Sequence, residues 1–402
     1  MDQERKKKLF WYAGAAIVTA GIVGWLLTAT PVQAADLGGN CCADLEDRIA
    51  ELEATAAKKG NRKVTLTVYG QVNTALQYVD VGDYSDTTVI QNGTDESRIG
   101  FAGQGRINPD LIAGYVLEID LRQLGLLGAP IDSTQPDVRQ QYAYIRSASI
   151  GQLSIGLQAQ ATQDFDKITT ANTTAVQKPL SFGGLSDSLL TGIDVPFDGA
   201  YRNSVRYDSP AMSGFVVSAS WGDSVDINDP NGNGDTYDIA LKYKGGFSDF
   251  KVEGAAGWRR STDLEINLLN IVNVSVPTGD VDTLLAVGSV MHETSGLFLT
   301  ANYADQDWKD FDFKLKGWQA TGGLEQRWFA VGKTTLYGEY GRITFDPDSG
   351  DSADIDLWGL GVVQALDGAA MDVYVGYRVY QLDDLGLDDD ISTATAGARI
   401  QF

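Results

Sequence analysis

The sequence predicts an all-β fold, a 16-stranded antiparallel transmembrane β-barrel in residues 63–402, with a short N-terminal helix ahead of it. Three observations support this prediction. Apolar and polar residues alternate at period two from Lys63 onward, short and long connections alternate, and aromatic residues recur at the predicted strand ends. No run after residue 34 is apolar for the ~18 residues that a membrane helix needs. If the chain spans a membrane, we expect it to do so with strands.

The first 34 residues have the pattern of a secretory signal peptide. Four basic residues, Arg5, Lys6, Lys7 and Lys8, precede an apolar run over residues 9–27, and Val32 and Ala34 supply small residues at the cleavage positions. The apolar run is long for a signal peptide, so an uncleaved inner-membrane anchor is the alternative. Cleavage would leave an even more acidic chain than the full sequence, whose formal net charge is −23.

Residues 35–62 are predicted to form a short helix with a coiled-coil seam on the periplasmic side. The seam consists of Cys42, Leu45, Ile49, Leu52 and Ala56, at alternating spacings of three and four. Helices this short are marginal in water, so this helix needs partners that are held close by another part of the molecule. Ile and Leu in these seam positions favour two strands.

Cys41 and Cys42 are adjacent, just after the predicted cleavage site. Neighbouring cysteines rarely bridge each other. In an oxidising compartment a disulfide between chains is one interpretation, and a pair of free thiols is the other.

The number of predicted strands follows from the connections. Short turns are predicted near Asn108 and at residues 149–151, 210–214, 245–246, 294–296, 331–332 and 367–368. Longer polar segments are predicted near residues 80–95, 123–137, 161–200, 222–236, 259–280, 305–315, 343–354 and 382–391. Seven short turns and eight long loops join sixteen strands and place both termini at the short-turn end. A soluble β-sandwich or propeller also has many short strands, but it does not explain this alternation.

The longest of these segments, residues 161–200, carries many apolar residues among five acids. This composition predicts a loop that is folded and presents carboxylates, because long loops without periodicity are either functional or disordered. The acids are Asp164, Asp166, Asp187, Asp194 and Asp198. The following strand alternates Tyr201, Asn203, Val205 and Tyr207 with Arg202, Ser204, Arg206 and Asp208.

Four local matches show that the chain resembles the trimeric 16-stranded general porin family of Gram-negative outer membranes. Residues 97–101 (SRIGF) resemble the second strand of the family, and residues 202–210 (RNSVRYDSP) resemble the strand after its constriction loop. Residues 179–184 (PLSFGG) are similar to the loop tip of the family but have Ser181 where the family has an acid. The chain ends on Phe402, like the family. Residues 35–62 are similar to those of variant porins with a periplasmic N-terminal coiled coil.

The resemblance implies a homotrimer in the outer membrane, in contact with membrane lipid and lipopolysaccharide. It also implies that residues 161–200 fold into the lumen as the constriction loop, and that the barrel-assembly machinery recognises Phe402. The pore-lining arginines would be Arg98, Arg122, Arg202 and Arg206, with the acids of residues 161–200 opposite them. The alternative for these arginines is ion pairing within the barrel wall.

The predicted function is passive diffusion of ions and small hydrophilic solutes through a water-filled channel. A barrel hydrolase is one rival, but such chemistry usually needs a histidine base, and the chain has a single histidine, His292. A protein whose N-terminal segment tethers the envelope is a second rival. We predict no enzymatic activity, no catalytic or metal site, no cofactor and no nucleic-acid partner.

The predicted extracellular loops are rich in acids, which predicts weak cation selectivity because charge of one sign at a pore mouth concentrates the opposite ion. The alternatives are that these acids solvate the loops or bind divalent cations that bridge lipopolysaccharide. The acids are Asp80, Asp83, Asp86, Asp95, Asp223, Asp226, Asp229, Asp235, Asp346, Asp348, Asp351, Asp383, Asp384, Asp388, Asp389 and Asp390.

Overall fold

The computed structural model describes residues 63–121, 137–179, 201–223, 234–266, 276–310, 313–347, 352–383 and 390–402. These residues form seventeen strand segments. In chain order they are β1 (Thr67–Val81), β2 (Tyr84–Gln91), β3 (Arg98–Arg106), β4 (Leu111–Asp120), β5 (Asp137–Ser147), β6 (Gly151–Ala159), β7 (Tyr201–Asp208), β8 (Phe215–Asp223), β9 (Asp235–Phe247), β10 (Phe250–Ile266), β11 (Val276–His292), β12 (Leu297–Trp308), β13 (Phe313–Phe329), β14 (Gly332–Pro347), β15 (Ala353–Leu366), β16 (Met371–Asp383) and β17 (Ile391–Gln401).

Antiparallel pairing closes these strands into a barrel. From β3 to β17 each strand pairs with the next along the chain, and β17 pairs with β1 from Gln71↔Gln401 to Val81↔Ile391. Both β2 and β3 pair with β1, so they are two halves of one barrel strand, interrupted by the 3-10 helix Gly93–Asp95. The structure is therefore a closed 16-stranded antiparallel barrel, and the predicted barrel is confirmed.

One predicted loop is wrong. Residues 80–95 are polar enough to look like a long connection, but β1 continues to Val81 and β2 begins at Tyr84. Gly82 allows this tight turn because its φ is +56°, in the left-handed region that glycine adopts without strain. The connection predicted near residues 305–315 is also shorter than expected, since β12 ends at Trp308 and β13 begins at Phe313.

Several strands are longer than the membrane requires. β10, β11 and β13 each contain 17 residues, whereas ~9 to 11 residues are enough for a tilted transmembrane strand. Their additional residues lie toward the long connections. A strand that extends beyond the bilayer meets water on its outer face, so its apolar alternation ends and its sequence resembles that of a loop.

The apolar faces of the strands point outward and the polar faces inward. On β1 the side chains of Val68, Val72 and Leu76 are exposed, whereas Gln71 and Asn73 are buried. This is the opposite of a soluble sheet and is the arrangement of a lipid-facing barrel. Many of the aromatic residues that recur at the strand ends are exposed on this outer face: Trp221, Trp258, Tyr303, Trp318, Trp328, Tyr340 and Trp358.

The predicted signal peptide (1–34), the predicted N-terminal helix (35–62), Cys41 and Cys42 lie outside the described residues. Among the helices of the described part of the chain, none is long and apolar enough to cross a bilayer.

Candidate functional site in the barrel interior

Residues 160–179, here called the inner segment, leave the barrel wall after β6 and lie against the inward faces of other strands. They begin with the 3-10 helix Gln163–Lys167 and then continue without regular structure. Most of these residues are buried, and Ala161, Phe165 and Ala175 are completely so. The described inner segment is thus packed rather than free in the lumen, as the mixture of apolar and acidic residues predicted.

Asp238 on β9 holds the beginning of the inner segment. Its Oδ2 accepts hydrogen bonds from the backbone N–H and the hydroxyl of Thr162, at 2.8 and 2.9 Å. The Ser220 hydroxyl donates to Oδ1 of the same carboxylate. The Phe165 ring packs on Gly257 of β10, where a Cβ would lie only 3.0 Å from the ring. Glycine at this position lets the inner segment approach the wall, since a Cβ would also lie 2.8 Å from the Thr162 side chain and 2.9 Å from the Ile239 carbonyl oxygen.

Polar side chains of the wall hold the middle of the inner segment. Ser289 on β11 accepts from the backbone N–H of Thr170 at 2.9 Å. Glu325 on β13 accepts from the backbone N–H of Asn172 at 2.8 Å, and the Asn172 amide donates to Asp372 on β16 at 2.7 Å. The middle of the inner segment therefore contacts β11, β13 and β16, which come much later in the chain than β6, where the segment leaves the wall.

The far end of the inner segment meets the interruption between β2 and β3. The carbonyl oxygen of Ala175 accepts from the side-chain amides of Asn92 at 2.9 Å and Asn73 at 3.3 Å. Lys178 forms an ion pair with Asp166 at 3.1 Å and lies 3.8 Å from Asp95. This junction brings together residues of β1, the strand interruption and the inner segment.

Two of the predicted pore-lining arginines are paired with acids of the wall. Arg98 donates to Asp95 at 3.0 Å. Arg206 binds Asp208 through Nε and Nη2, and its Nη1 donates to the backbone oxygens of Ala159 and Gln160. These contacts match the alternative in which the arginines pair within the wall, although Arg206 also fixes the first residues of the inner segment.

Arg202, the third predicted arginine in the described residues, lies on β7 opposite Gln158 of β6 and is half-buried. Arg122 lies outside the described residues.

Two of the five predicted loop acids can be placed, and both are paired with lysines. Asp164 lies 2.9 Å from Lys167, and Asp166 lies 3.1 Å from Lys178. Desolvation raises the pKa of Asp164, but the nearby Lys167 and Lys242 ammonium groups outweigh it and hold that pKa well below its usual range. Desolvation lowers the pKa of Lys167, but Asp164 outweighs it and raises that pKa. Asp187, Asp194 and Asp198 lie outside the described residues.

Asp95 is not at the pore mouth, where its place in the predicted first loop would put it. It is buried inside the barrel, with 5% of its surface exposed, because residues 93–95 form the 3-10 helix between β2 and β3. Composition alone could not distinguish an inward interruption of a strand from a polar extracellular loop.

A comparison with protein-family models matches residues 19–385 to the Gram-negative porin family. The chain belongs to the Gram-negative porin family. No curated protein matches the sequence. The family and the closed barrel place this porin in the outer membrane and identify it as a channel protein.

Solved porin structures are similar to this porin in fold. OmpT of Vibrio cholerae, in vitro folded and in its trimer form, is 18% identical with a TM-score of 0.57, over 84% of this chain and 99% of that one. An anion-selective porin from Comamonas acidovorans is 14% identical with a TM-score of 0.60, over 84% and 100%. OmpF of Salmonella typhi in complex with daunomycin is 16% identical with a TM-score of 0.56, over 85% and 99%. At these identities the likeness shows the fold alone.

The interior of this porin also contains charged residues that were not singled out from the sequence. Arg139 on β5 pairs with Glu96 at 2.9 Å, and its guanidinium lies over the Tyr201 ring at 4.6 Å. Arg399 on β17 pairs with Asp95 at 2.6 Å and Asp372 at 2.7 Å. The alternation of inward and outward residues along β17 could have predicted that Arg399 points inward, because its neighbour Ile400 lies on the outward face. A register shift in the β4–β5 pairing interrupts this alternation, so it is less useful for Arg139.

The C-terminal residue lies at the seam where β17 meets β1. Phe402 and Gly70 exchange two backbone hydrogen bonds, of 2.9 and 3.1 Å, and the Phe402 ring lies outside the barrel with 61% of its surface exposed. A Cβ on Gly70 would be 2.7 Å from this ring. The predicted assembly residue therefore also takes part in the closure of the barrel.

Proposed function

We propose that this porin is a passive diffusion channel for ions and small hydrophilic solutes, and that residues 161–200 form its constriction. The observation that carries the proposal is the path of the inner segment, which is bonded to inward-facing side chains of several strands. A loop held in this way reduces the cross-section available to solutes. The proposal includes the absence of enzymatic activity, of a metal site and of a cofactor.

We further propose a homotrimer whose outward face contacts membrane lipid and lipopolysaccharide. Support for the trimer comes from the family and from the trimer form of the OmpT structure. Residues 1–34 would be a signal peptide, residues 35–62 a periplasmic helix, and Phe402 the residue read by the barrel-assembly machinery. The rival of an envelope tether would require residues 36–57, and their deletion would then detach the envelope without a change in conductance.

For ion selectivity we propose a weak preference for cations that originates in the acids at the pore mouth, with a contribution from the acids of residues 161–200. In the interior, Arg98 and Arg206 have carboxylate partners, so their charges are compensated locally and attract anions less than unpaired arginines would. Asp83, in the tight turn between β1 and β2, and Asp390, beside the long connection before β17, are exposed, and the chain has a formal net charge of −23. The anion selectivity named for the Comamonas porin applies to that protein.

The reversal potential of purified protein in a planar bilayer, measured across a potassium chloride gradient, tests this proposal. We expect it to favour potassium weakly, and more strongly at low salt, because the screening length is ~10 Å near 0.1 M. A reversal potential that favours chloride contradicts the proposed selectivity.

A pair of variants locates the charges that produce this preference. Asp187→Asn with Asp194→Asn should reduce the cation preference if residues 161–200 lie in the lumen. Asp249→Asn is the matched control, since this exposed acid lies in the short turn between β9 and β10 at the other end of the barrel. An equal effect of both changes would contradict a selective role for residues 161–200.

A further inference from the structure

The interruption of the second barrel strand has its own set of hydrogen bonds. Between β2 and β3, residues 92–97 leave the β-ladder, and side chains of β1 replace the missing backbone bonds. The Gln71 amide donates to the carbonyl oxygens of Asp95 and Glu96 at 3.0 and 2.9 Å, and the Asn73 amide donates to that of Asp95 at 2.9 Å. The backbone N–H of Asn73 donates to the Ser97 hydroxyl at 3.0 Å. The interruption is therefore a defined inward structure, because its buried polar groups have partners.

These bonds place the Asp95 carboxylate among three cations from three parts of the chain. Oδ1 accepts from Arg98 of β3 at 3.0 Å and lies 3.8 Å from Lys178 of the inner segment. Oδ2 accepts from Arg399 of β17 at 2.6 Å. The Asp95 side chain is only 7% exposed, and those of Lys178 and Arg399 are 8% and 5% exposed. Without the carboxylate, Arg98, Lys178 and Arg399 would keep only Glu118, Asp166 and Asp372 as partners. Three positive charges would then face one another at short range with one compensating charge fewer, which is unfavourable.

The same cluster binds the inner segment at further points. Arg399 donates to the Thr174 hydroxyl at 3.1 Å and to Asp372 at 2.7 Å, and Asp372 in turn accepts from the Asn172 amide. Ala175 is bound through its carbonyl oxygen by the amide of Asn92. Residues 172–178 thus reach the wall through the strand interruption and through the groups that Asp95 neutralises.

We propose that Asp95 is a positioning residue that holds residues 172–178 of the inner segment against the wall and thereby sets the size limit of the pore. The inference rests on the proposed diffusion function. Asp95 acts through Lys178 and Arg399: its charge allows both cations to stay buried, and they fix the far end of the inner segment. Loss of this charge releases the inner segment from the wall.

Permeation of neutral sugars of graded size through purified, reconstituted protein tests the proposal. Asp95→Asn and Lys178→Gln should each change the size limit and the single-channel conductance, whereas Asp95→Glu, which keeps the charge, should restore behaviour close to that of the original chain. Lys178→Gln leaves the wall unaltered, so it remains informative if Asp95→Asn fails to assemble. Glu253→Gln is the matched control, because this inward carboxylate pairs with Lys244 and Lys251 at 3.1 and 3.3 Å, on β9 and β10.

Three outcomes would overturn the proposal. One is a folded Asp95→Asn and a folded Lys178→Gln that both keep the original size limit. Another is a changed ion selectivity with an unchanged size limit for neutral sugars, which would mean that Asp95 acts through its field alone. The third is an equal change in Glu253→Gln.

A labelling experiment separates this proposal from the proposed function, because it needs no conduction. Thr173 is completely buried in the inner segment, so Thr173→Cys, in a chain with Cys41→Ser and Cys42→Ser, reports exposure to a small methanethiosulfonate reagent. Asp95→Asn should raise the labelling rate on the order of tenfold, as expected for a local opening that loses one charge-assisted hydrogen bond. Faster labelling in a protein without conductance would count against the diffusion function alone, and unchanged labelling would count against the role of Asp95.

Discussion

At the scale of single residues, the interior of this porin is governed by compensation of charge. Glu339 and Arg378, on β14 and β16, form a buried pair at 2.7 Å, and Arg399 joins two carboxylates. Buried ions require such partners because desolvation of an isolated charge costs several kcal/mol. The sequence predicted a row of arginines on the wall opposite an acidic loop. This prediction is too simple for residues 161–179 and the strands that they contact, where most charges already have a partner of opposite sign.

Phe402 gives a prediction at this scale. Its deletion removes two backbone hydrogen bonds to Gly70, each worth about 1 kcal/mol, together with the aromatic residue on which the resemblance places the assembly signal. We expect the truncated chain to accumulate unassembled in the periplasm, detected by protease sensitivity and by the loss of heat-modifiable gel migration.

Phe402→Trp is the control for this deletion, since it keeps the backbone bonds and an aromatic ring, and it should assemble normally. Normal assembly of the truncated chain would refute the prediction.

At the scale of elements, the inner segment is a loop fixed by the wall. Its hydrogen bonds come from inward side chains of β8, β9, β11, β13 and β16, which are spaced around the barrel. Loops commonly move more than the elements they connect because they have few buried contacts. The described part of this loop has many such contacts, so we expect it to be among the less mobile connections of the chain.

The pair formed by Asp164 and Lys167 predicts how the start of the inner segment responds to pH. The pKa of Asp164 is lowered in the folded protein. Its contribution to the stability of the inner segment is therefore present above the ordinary pKa of about 3.9 and is lost as pH falls through the lower folded value. The pKa of Lys167 is raised in the folded protein. Its contribution to that stability is therefore present below the ordinary pKa of about 10.4 and is lost as pH rises through the higher folded value.

Conductance should therefore stay constant between about pH 5 and pH 9, where both groups are charged. A pH titration of single-channel conductance measures this. A transition centred near neutral pH would contradict the assignment of this pair to the start of the inner segment, and Lys167→Gln serves as the variant that lacks the pair.

At the scale of the whole molecule, the lipid-facing surface and the N-terminal segment determine assembly. The outward faces carry exposed apolar residues around the barrel, as a bilayer requires. A two-heptad helix is marginal alone, so its association would depend on barrels that hold the copies together.

We therefore predict that unheated protein migrates as a trimer in mild detergent. If Cys41 or Cys42 bridges two chains, a reducing agent should change the migration of the heated protein, and the variant with Cys41→Ser and Cys42→Ser should lack that change. A monomer that is stable in mild detergent would contradict the predicted trimer.

The barrel, its sixteen strands and the direction of its two faces could be predicted from the sequence alone. These properties follow from local constraints: a strand between lipid and water must alternate at period two, and a turn needs residues such as Gly82 that fit its backbone. The sequence also indicated that residues 161–200 fold, because their apolar residues can be buried, and the described part of this segment is packed in that way.

The partners of the charged side chains, in contrast, depend on the three-dimensional arrangement of the strands. Arg399 and Asp95 are 304 positions apart and become neighbours because β17 closes against β1. The inward interruption after β2 was not visible in the sequence. Its polar groups form hydrogen bonds with side chains of β1, and a polar composition alone does not distinguish such a segment from a loop in water. Ion pairing depends on distance in space, and in a closed barrel that distance is set by strand register, which alternation along one strand does not specify.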